Sequence, residues 1–346
     1  MLAPVAATVP DWANRSLALL APYPRLLLAV SGGPDSVALM LLVARHLANG
    51  SRQIDVATVD HGLRPGSAQE AQQVAAWAQE LGLPHHILPW RGPKPETRIQ
   101  ERARAARYHL LAACASGLGN APIVTAHHAD DQAETILFRL SRGSGVTGLA
   151  GMSLRAERGD AILLRPFLDT PKSTLEAFCR TADYAFLRDP SNGDRKYARA
   201  RLRALAPLLA ERGLDRDALL RLGARAARAE EALASCAAAL RQEAIRHVDR
   251  VSACFDPAPL AAAPSELLQR VIAGEILRLA PDAPLRLERL ERLVTALLAP
   301  LAAGDAWRTT LAGVIVECRA DALIIRPAPP RRRVARAKGD PVPPDP

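Results

Sequence analysis

The sequence predicts an α/β protein: a parallel sheet covered by helices on both faces, followed by a smaller, mainly helical domain. Three observations lead there. Short apolar runs alternate with amphipathic stretches from the N-terminus to about residue 212, and such strand–helix alternation packs as a parallel sheet between helical layers. One apolar run, Leu26-Leu27-Leu28-Ala29-Val30, breaks abruptly into Ser31-Gly32-Gly33-Pro34-Asp35-Ser36 and then into a helical pattern. After Gly213 the texture changes to long stretches rich in Ala, Leu, Arg and Glu.

In chain order, strands are expected at 25–30, 54–59, 85–89 and 123–126, with helices between and after them at 35–48, 68–81, 97–117 and 130–140. These belong to a first domain, 1–212. A second domain, 213–326, is expected to hold a long helix at 216–248, two more at 265–279 and 285–298, and a small hairpin from 311–316 and 322–325. Residues 327–346 mix proline with Arg331, Arg332 and Arg333 and read as a disordered basic tail.

Composition narrows the function classes. At 346 residues and 49% hydrophobic, the chain can bury two cores. Lys and Arg outnumber Asp and Glu by 45 to 36, which fits a polyanionic partner such as nucleic acid. Aromatic residues at 4% argue against a large base-stacking surface. Cys114, Cys179, Cys236, Cys254 and Cys318 are scattered and never spaced C-x-x-C, so no disulfide framework, zinc site or iron–sulfur site is expected. Neither a secretory signal nor an apolar run of the ~18 residues that a membrane span needs is present, and a cytoplasmic enzyme is expected.

In open parallel sheets, ligands bind beyond the carboxyl ends of the strands. Ser31, Asp60 and His127 each follow a predicted strand, so they should line one edge. The loop Ser31–Ser36 is suited to phosphate. Gly32 and Gly33 let the backbone approach, Ser31 and Ser36 carry hydroxyls, Pro34 starts the helix, and Asp35 is placed to hold a cation. No lysine follows the glycines, so this is not a Walker A loop. Asp60 and His61, with Gly62 permitting a turn, are candidate nucleotide contacts. Arg104 and Arg107 share a helix face and suit phosphate.

The richest segment is Ala126-His127-His128-Ala129-Asp130-Asp131-Gln132-Ala133-Glu134-Thr135. On a helix, His127, Asp131 and Glu134 form an i, i+4, i+7 stripe. Its carboxylates suit Mg²⁺ or an ammonium group, although aspartates in a first turn also stabilise a helix N-terminus. Asp35 and Asp130 are the candidate metal ligands, with Asp131 the alternative to Asp130. Arg139 and the glycine-rich stretch from Arg142 to Leu149 follow, suited to close approach by a second substrate. Further on, the turn from Arg188 to Asn192 leads into Lys196, Tyr197, Arg199, Arg201 and Arg203, a basic run compatible with an RNA backbone.

Taken together, the loop Ser31–Ser36, Asp60–Arg64, the helix bearing Arg104, Arg107 and Tyr108, the block Ala126–Met152 and the run Arg188–Arg203 resemble the tRNA(Ile)-lysidine synthetase family of PP-loop ATP pyrophosphatases. The resemblance covers roughly residues 24 to 205. It implies a Rossmann-like sheet with a pyrophosphate-binding loop, the cofactors ATP and Mg²⁺, and as partners L-lysine and the isoleucine tRNA with a CAU anticodon. It also implies adenylation of carbon-2 of the wobble cytidine, followed by displacement of AMP by the lysine ε-amine. Asp35, His127, Asp131 and Glu134 would be catalytic; Asp131 and Glu134 would also take the lysine; Arg104, Arg107, Arg199, Arg201 and Arg203 would meet tRNA phosphates. The family tends to dimerise, which makes a homodimer the implied assembly. The C-terminal module of longer members is expected to be absent. The nearest competing reading is a 2-thiocytidine sulfurtransferase of the same superfamily, a chemistry that generally needs paired cysteines or a cluster.

Overall fold

Two units make up the chain, divided between Ala227 and Arg228. The computed structural model describes residues 9–47, 52–187, 198–281 and 283–329, with backbone only at 198–201 and 203. The first unit begins with α1 (Asp11–Leu20), β1 (Arg25–Ala29), α2 (Pro34–His46), β2 (Gln53–Asp60), α3 (Ser67–Glu80) and β3 (His85–Pro89). It continues with α4 (Ile99–Gly117), β4 (Ile123–Thr125), α5 (Ala129–Leu140) and the single turn α6 (Val146–Leu149). The hairpin of β5 (Arg155–Arg158) and β6 (Ala161–Leu164), then α7 (Lys172–Thr181), α8 (Ala198–Glu211) and the start of α9 (Arg216–Ala244), complete it.

The strands form a six-stranded sheet in the order β3-β2-β1-β4-β6-β5. β1 lies inside the sheet, parallel to β2 on one side and to β4 on the other. Its side chains alternate between faces, as a strand's must. Leu26 and Leu28 enter the core shared with α2, and Leu27 enters the one shared with α4. All three are fully buried, which is why this stretch of sequence is continuously apolar instead of alternating. α2 is buried from Ser36 to Val43 and has no solvent-facing stripe over that length. The chain leaves β1 toward β2 and returns on the other side as β4. The crevice at the carboxyl ends of β1 and β4 is therefore the topological switch point, where such sheets bind ligands.

The four expected strands and the four expected helices form where the hydrophobic pattern puts them. The β5–β6 hairpin and α7 were not expected. β6 adds parallel to β4, while β5 closes that edge antiparallel.

The second unit takes the end of α9 and then β7 (Ile245–Val248), β8 (Ala253–Phe255), α10 (Pro257–Ala262), α11 (Ser265–Leu279), α12 (Leu287–Ala303), β9 (Trp307–Leu311), β10 (Val314–Arg319) and β11 (Ala322–Pro327). It holds a five-stranded sheet, β7-β8-β11-β10-β9, with every pairing antiparallel. Helices still hold most of the regular structure of this unit, and the expected hairpin belongs to a larger antiparallel sheet. The expected strand at 311–316 is cut by a two-residue turn at Ala312 and Gly313, whose φ angles are 52° and 78°. Two left-handed residues match the twist of adjacent strands, so the sequence reverses where continuous apolar residues suggested extension. The long helix likewise stops at Ala244, and residues 245–248 leave it as an edge strand. Leu268, Ile272 and Ile276 of α11 and Leu293, Leu297 and Leu301 of α12 pack with Phe255, Val316 and Ile325 of the sheet. Buried Glu275 is held by Arg241 and Arg278, each at 2.7 Å. Among the described residues, no helix is long and apolar enough to cross a membrane.

Candidate active site

At the switch point lies a cavity of about 940 Å³. Its lining includes Ser31, Gly33, Pro34, Asp35 and Ser36 of the loop, His127 and Asp131, and the arginines Arg104, Arg107 and Arg139. Most residues singled out in the sequence of the first unit thus converge on one space.

The loop is shaped by its own hydrogen bonds. The Ser31 N–H donates to Ser36 Oγ at 3.1 Å, and that hydroxyl donates to the Gly33 carbonyl at 3.0 Å. The Ser36 proton is thereby committed to holding the turn. Gly32 has φ 87°, a region costly for other residues, and its carbonyl accepts the Leu187 N–H at 2.8 Å. A Cβ at Gly32 would stand 2.6 Å from Leu187 Cδ1. Gly33 caps α2 and Pro34 occupies its first turn, where a missing N–H costs nothing.

The N-termini of α2 and α5 meet at His128. Its Nε2 lies 3.6 Å from Asp35 Oδ2 and 3.5 Å from Asp131 Oδ2, and its Nδ1 lies 3.6 Å from Asp130 Oδ2. His128 is also the N-cap of α5. It accepts the Asp131 N–H at 3.3 Å, while Asp131 accepts the His128 N–H at 3.3 Å. Burial pulls the His128 pKa down, but Asp35, Asp131 and Asp130 together outweigh it and hold the group above its usual value. For Asp131, burial dominates and raises the carboxyl pKa, with Glu134 and Asp35 adding to the rise against His128. Asp35 Oδ1 is buried and has no hydrogen-bond partner among the described residues.

His127 does not share the helical stripe expected for it. α5 starts at Ala129, so His127 sits in the extended segment after β4 and reaches the cavity from the sheet edge. Its Nδ1 lies 2.8 Å from Thr125 Oγ1. Burial first, then the charges of Arg165, Arg104, His128 and Arg107, push its pKa down to about 3. The two adjacent imidazoles therefore hold opposite tendencies. Glu134 follows Asp131 by three residues on α5 and is partly buried.

The other expected residues divide in two ways. His61 lines the cavity, its Nδ1 accepting the Leu63 N–H, whereas Asp60 Oδ1 accepts from Ser67 Oγ at 2.6 Å and from the Gly62 N–H at 3.1 Å. Asp130 Oδ2 accepts the Lys172 N–H at 2.9 Å, and its Oδ1 lies 3.9 Å from Arg216. Among the described residues, no group of three or more His, Cys, Asp or Glu is arranged as a metal site. Arg199, Arg201 and Arg203 fall on α8, but their side chains lie outside the described residues, as does the whole of 188–197.

The glycine-rich stretch is tied back to α5. Arg139 donates to the carbonyls of Gly148 and Gly151 at 2.9 and 2.7 Å. Gln132 donates to the Met152 carbonyl at 2.9 Å and accepts the Met152 N–H at 2.8 Å.

Comparison with known proteins agrees with this geometry. The PP-loop domain family matches residues 11–209. The tRNA(Ile)-lysidine synthase of Methylobacterium sp. (strain 4-46) is 50% identical over 317 residues, covering 90% of this chain and 91% of that protein. Its namesake from Bradyrhizobium diazoefficiens is 43% identical over 350 residues, 95% of each chain. The chain belongs to the tRNA(Ile)-lysidine synthase family. Among solved structures, the U34-tRNA thiolase NcsA from Methanococcus maripaludis superposes with a TM-score of 0.52 at 12% identity, over 63% of this chain and 80% of that one. At that identity the likeness is one of fold.

Two contributions to the site were missed from sequence. His128 was noticed only as a neighbour of Asp131, because nothing local reveals that Asp35, 93 residues earlier in the numbering, faces it. α7 lines the cavity with Lys172, Glu176 and Arg180. Their i, i+4, i+8 spacing opposite buried Leu175 and Cys179 was the available signal.

Two outcomes are expected. Gly32→Ala should weaken ATP binding, measured by calorimetric titration, by tenfold or more, because the loop must change φ and displace Leu187; unchanged affinity would show that the loop tolerates both. His127 should stay neutral across pH 5–8. A histidine whose folded pKa is depressed contributes stability that is present above ~6.5 and lost as pH falls toward the folded value. Its imidazole NMR signals should therefore be flat over that range in the native protein; a titration near ~6.5 would contradict the burial and the cationic surroundings.

Proposed function

We propose that this chain ligates L-lysine to carbon-2 of the wobble cytidine of the isoleucine tRNA with a CAU anticodon, consuming ATP and releasing AMP and pyrophosphate. The observation that carries the reading is the junction at His128. It sets partly buried carboxylates beside a pyrophosphate-type loop, within the reach of one buried imidazole. A cationic nucleophile and an activated phosphate ester both have a place there.

The chemistry follows from these groups. The carbonyl oxygen at carbon-2 is a poor leaving group until adenylated. Ser31, Gly32, Gly33, Pro34 and Ser36 cradle the departing pyrophosphate, at a helix N-terminus whose dipole favours anions. The lysine ε-amine has a reference pKa near ~10.4, so it arrives as a cation and must lose a proton before it attacks. Asp131, with Glu134 on the next turn, attracts that ammonium. The burial that raises the Asp131 pKa also makes it the better proton acceptor. His127, kept neutral, is available as a hydrogen-bonding group to the nucleotide, alongside Asp60 and His61. Buried Asp35 Oδ1 fits a cation ligand. Asp35 would hold Mg²⁺, which offsets negative charge on phosphate when bound. Asp130 is the second candidate, although its carboxylate already serves Lys172 and Arg216, and Asp131 is the alternative. Arg104 and Arg107 line the same cavity and are proposed to meet tRNA phosphates, with Arg199, Arg201 and Arg203 further along the chain. A tRNA substrate implies a cytoplasmic site of action, and the family resemblance implies a homodimer.

Sulfur transfer finds less support. Cys179, whose Sγ donates to the Pro34 carbonyl, is buried, and burial pushes its thiol up to about 12, far from a reactive thiolate.

The deciding experiment incubates the protein with isoleucine tRNA transcript, ATP and labelled lysine, and weighs the wobble nucleoside. A gain matching one lysine less one water is expected; its absence would overturn the proposal. Asp131→Asn and Glu134→Gln should raise the lysine KM or lower turnover by at least tenfold, while ATP binding stays near wild type. Equal lysine kinetics would remove both residues from the lysine site. Arg104→Ala and Arg107→Ala should weaken tRNA binding and flatten its salt dependence, by about one unit of slope per lost phosphate contact. Unchanged slopes would mean that these arginines do not meet phosphate.

A further inference from the structure

A triphosphate brings more negative charge than hydroxyls and backbone dipoles neutralise, and the loop Ser31–Ser36 carries no lysine. Beside the Mg²⁺ that Asp35 would hold, a side-chain cation for the polyphosphate can come only from another element. α7 runs across the site: Cys179 Sγ lies 3.4 Å from the Pro34 carbonyl at the start of α2, while the Lys172 N–H binds Asp130 at the start of α5. Two further backbone bonds fix its flanks, from Ala129 N–H to the Thr170 carbonyl at 2.9 Å and from Leu187 N–H to the Gly32 carbonyl at 2.8 Å. The helix therefore presents one face to the cavity, carrying Lys172, Glu176 and Arg180.

The charges on that face are not equally available. Lys172 and Glu176 stand at i, i+4, a spacing at which they would normally pair. Glu176 instead accepts from Arg180 at 2.9 Å. Among the described residues, the Lys172 ammonium has no ion-pair partner, although its backbone is anchored on both sides. An exposed lysine on a fixed helix, facing an anion-binding loop with its natural partner occupied, is a cation kept for a ligand.

We propose that Lys172 binds the β- or γ-phosphate of ATP, supplying from α7 the positive charge that the loop lacks. The assignment rests on the ATP-dependent function proposed above. Lys172 acts as a binding residue for the polyphosphate and for the pyrophosphate that leaves, and Arg180, held by Glu176, closes the far end of the same face.

The test compares Lys172→Met and Lys172→Arg with the wild type by calorimetric titration of Mg-ATP and of AMP, which lacks the β- and γ-phosphates. Thermal unfolding serves as a check on folding, which should be unaffected because the side chain is exposed. Lys172→Met should weaken ATP binding by tenfold or more and leave AMP binding within twofold, and Lys172→Arg should recover most of the loss. Equal ATP affinity in Lys172→Met, or equal losses for ATP and AMP, would overturn the assignment. So would intact ATP binding with a reduced salt slope for tRNA, which would make Lys172 an RNA contact. If the wild type itself failed to bind ATP, the proposed function would fall first.

Discussion

Two helix N-termini pointing into one crevice create an electrostatic problem, because each carries unsatisfied N–H groups and the positive end of a dipole. The chain resolves it with carboxylates and one imidazole. Asp35 sits in the first turn of α2, Asp130 and Asp131 sit in the first turn of α5, and His128 stands among all three. Asp35 and Asp131, two of the residues that stabilise these helix ends, also line the cavity. Stability and function thus draw on a single arrangement, and a change at His128 would disturb the capping of α5 and the seat of Asp35 together.

The cavity is divided by charge as a result. Carboxylates gather at the helix junction, while Arg165 and the α4 residues Arg104 and Arg107 bear on His127. A reaction that joins an ammonium-bearing substrate to a phosphate-bearing one needs such a division, since a uniform field would repel one of them. The two neighbouring histidines record the boundary. One is held above its usual pKa by aspartates, and the other is driven far below it by burial and arginines.

Much of this was legible in the sequence because short-range patterns carry it. The run Leu26–Val30 ending in Ser-Gly-Gly-Pro-Asp-Ser announced strand, loop and helix, and the placement of Ser31 and His127 after strands brought them to one edge. What escaped was whatever depends on distant pairing. His127 was read on one stripe with Asp131 and Glu134, but the mutual capping of His128 and Asp131 starts α5 at Ala129 and leaves His127 in the extended segment before it. The second sheet escaped because its strands are three to six residues long, too short for alternation to stand out from the helices around them. The turn at Ala312–Gly313 hid inside an apolar run, since alanine there gives no hint of a left-handed backbone.

The bond pair between Gln132 and Met152 has a chemical consequence of its own. A primary amide is the side chain that can both give to and take from one peptide group, so Gln132 acts as an extra rung of backbone between α5 and the glycine-rich stretch. Hydrolysis of that amide to a carboxylate removes the donor and sets two acceptors, the new oxygen and the Met152 carbonyl, against each other. Deamidation at this one buried position would change neither shape nor size appreciably, yet it would leave the stretch tied to α5 chiefly through the Arg139 bonds to the Gly148 and Gly151 carbonyls.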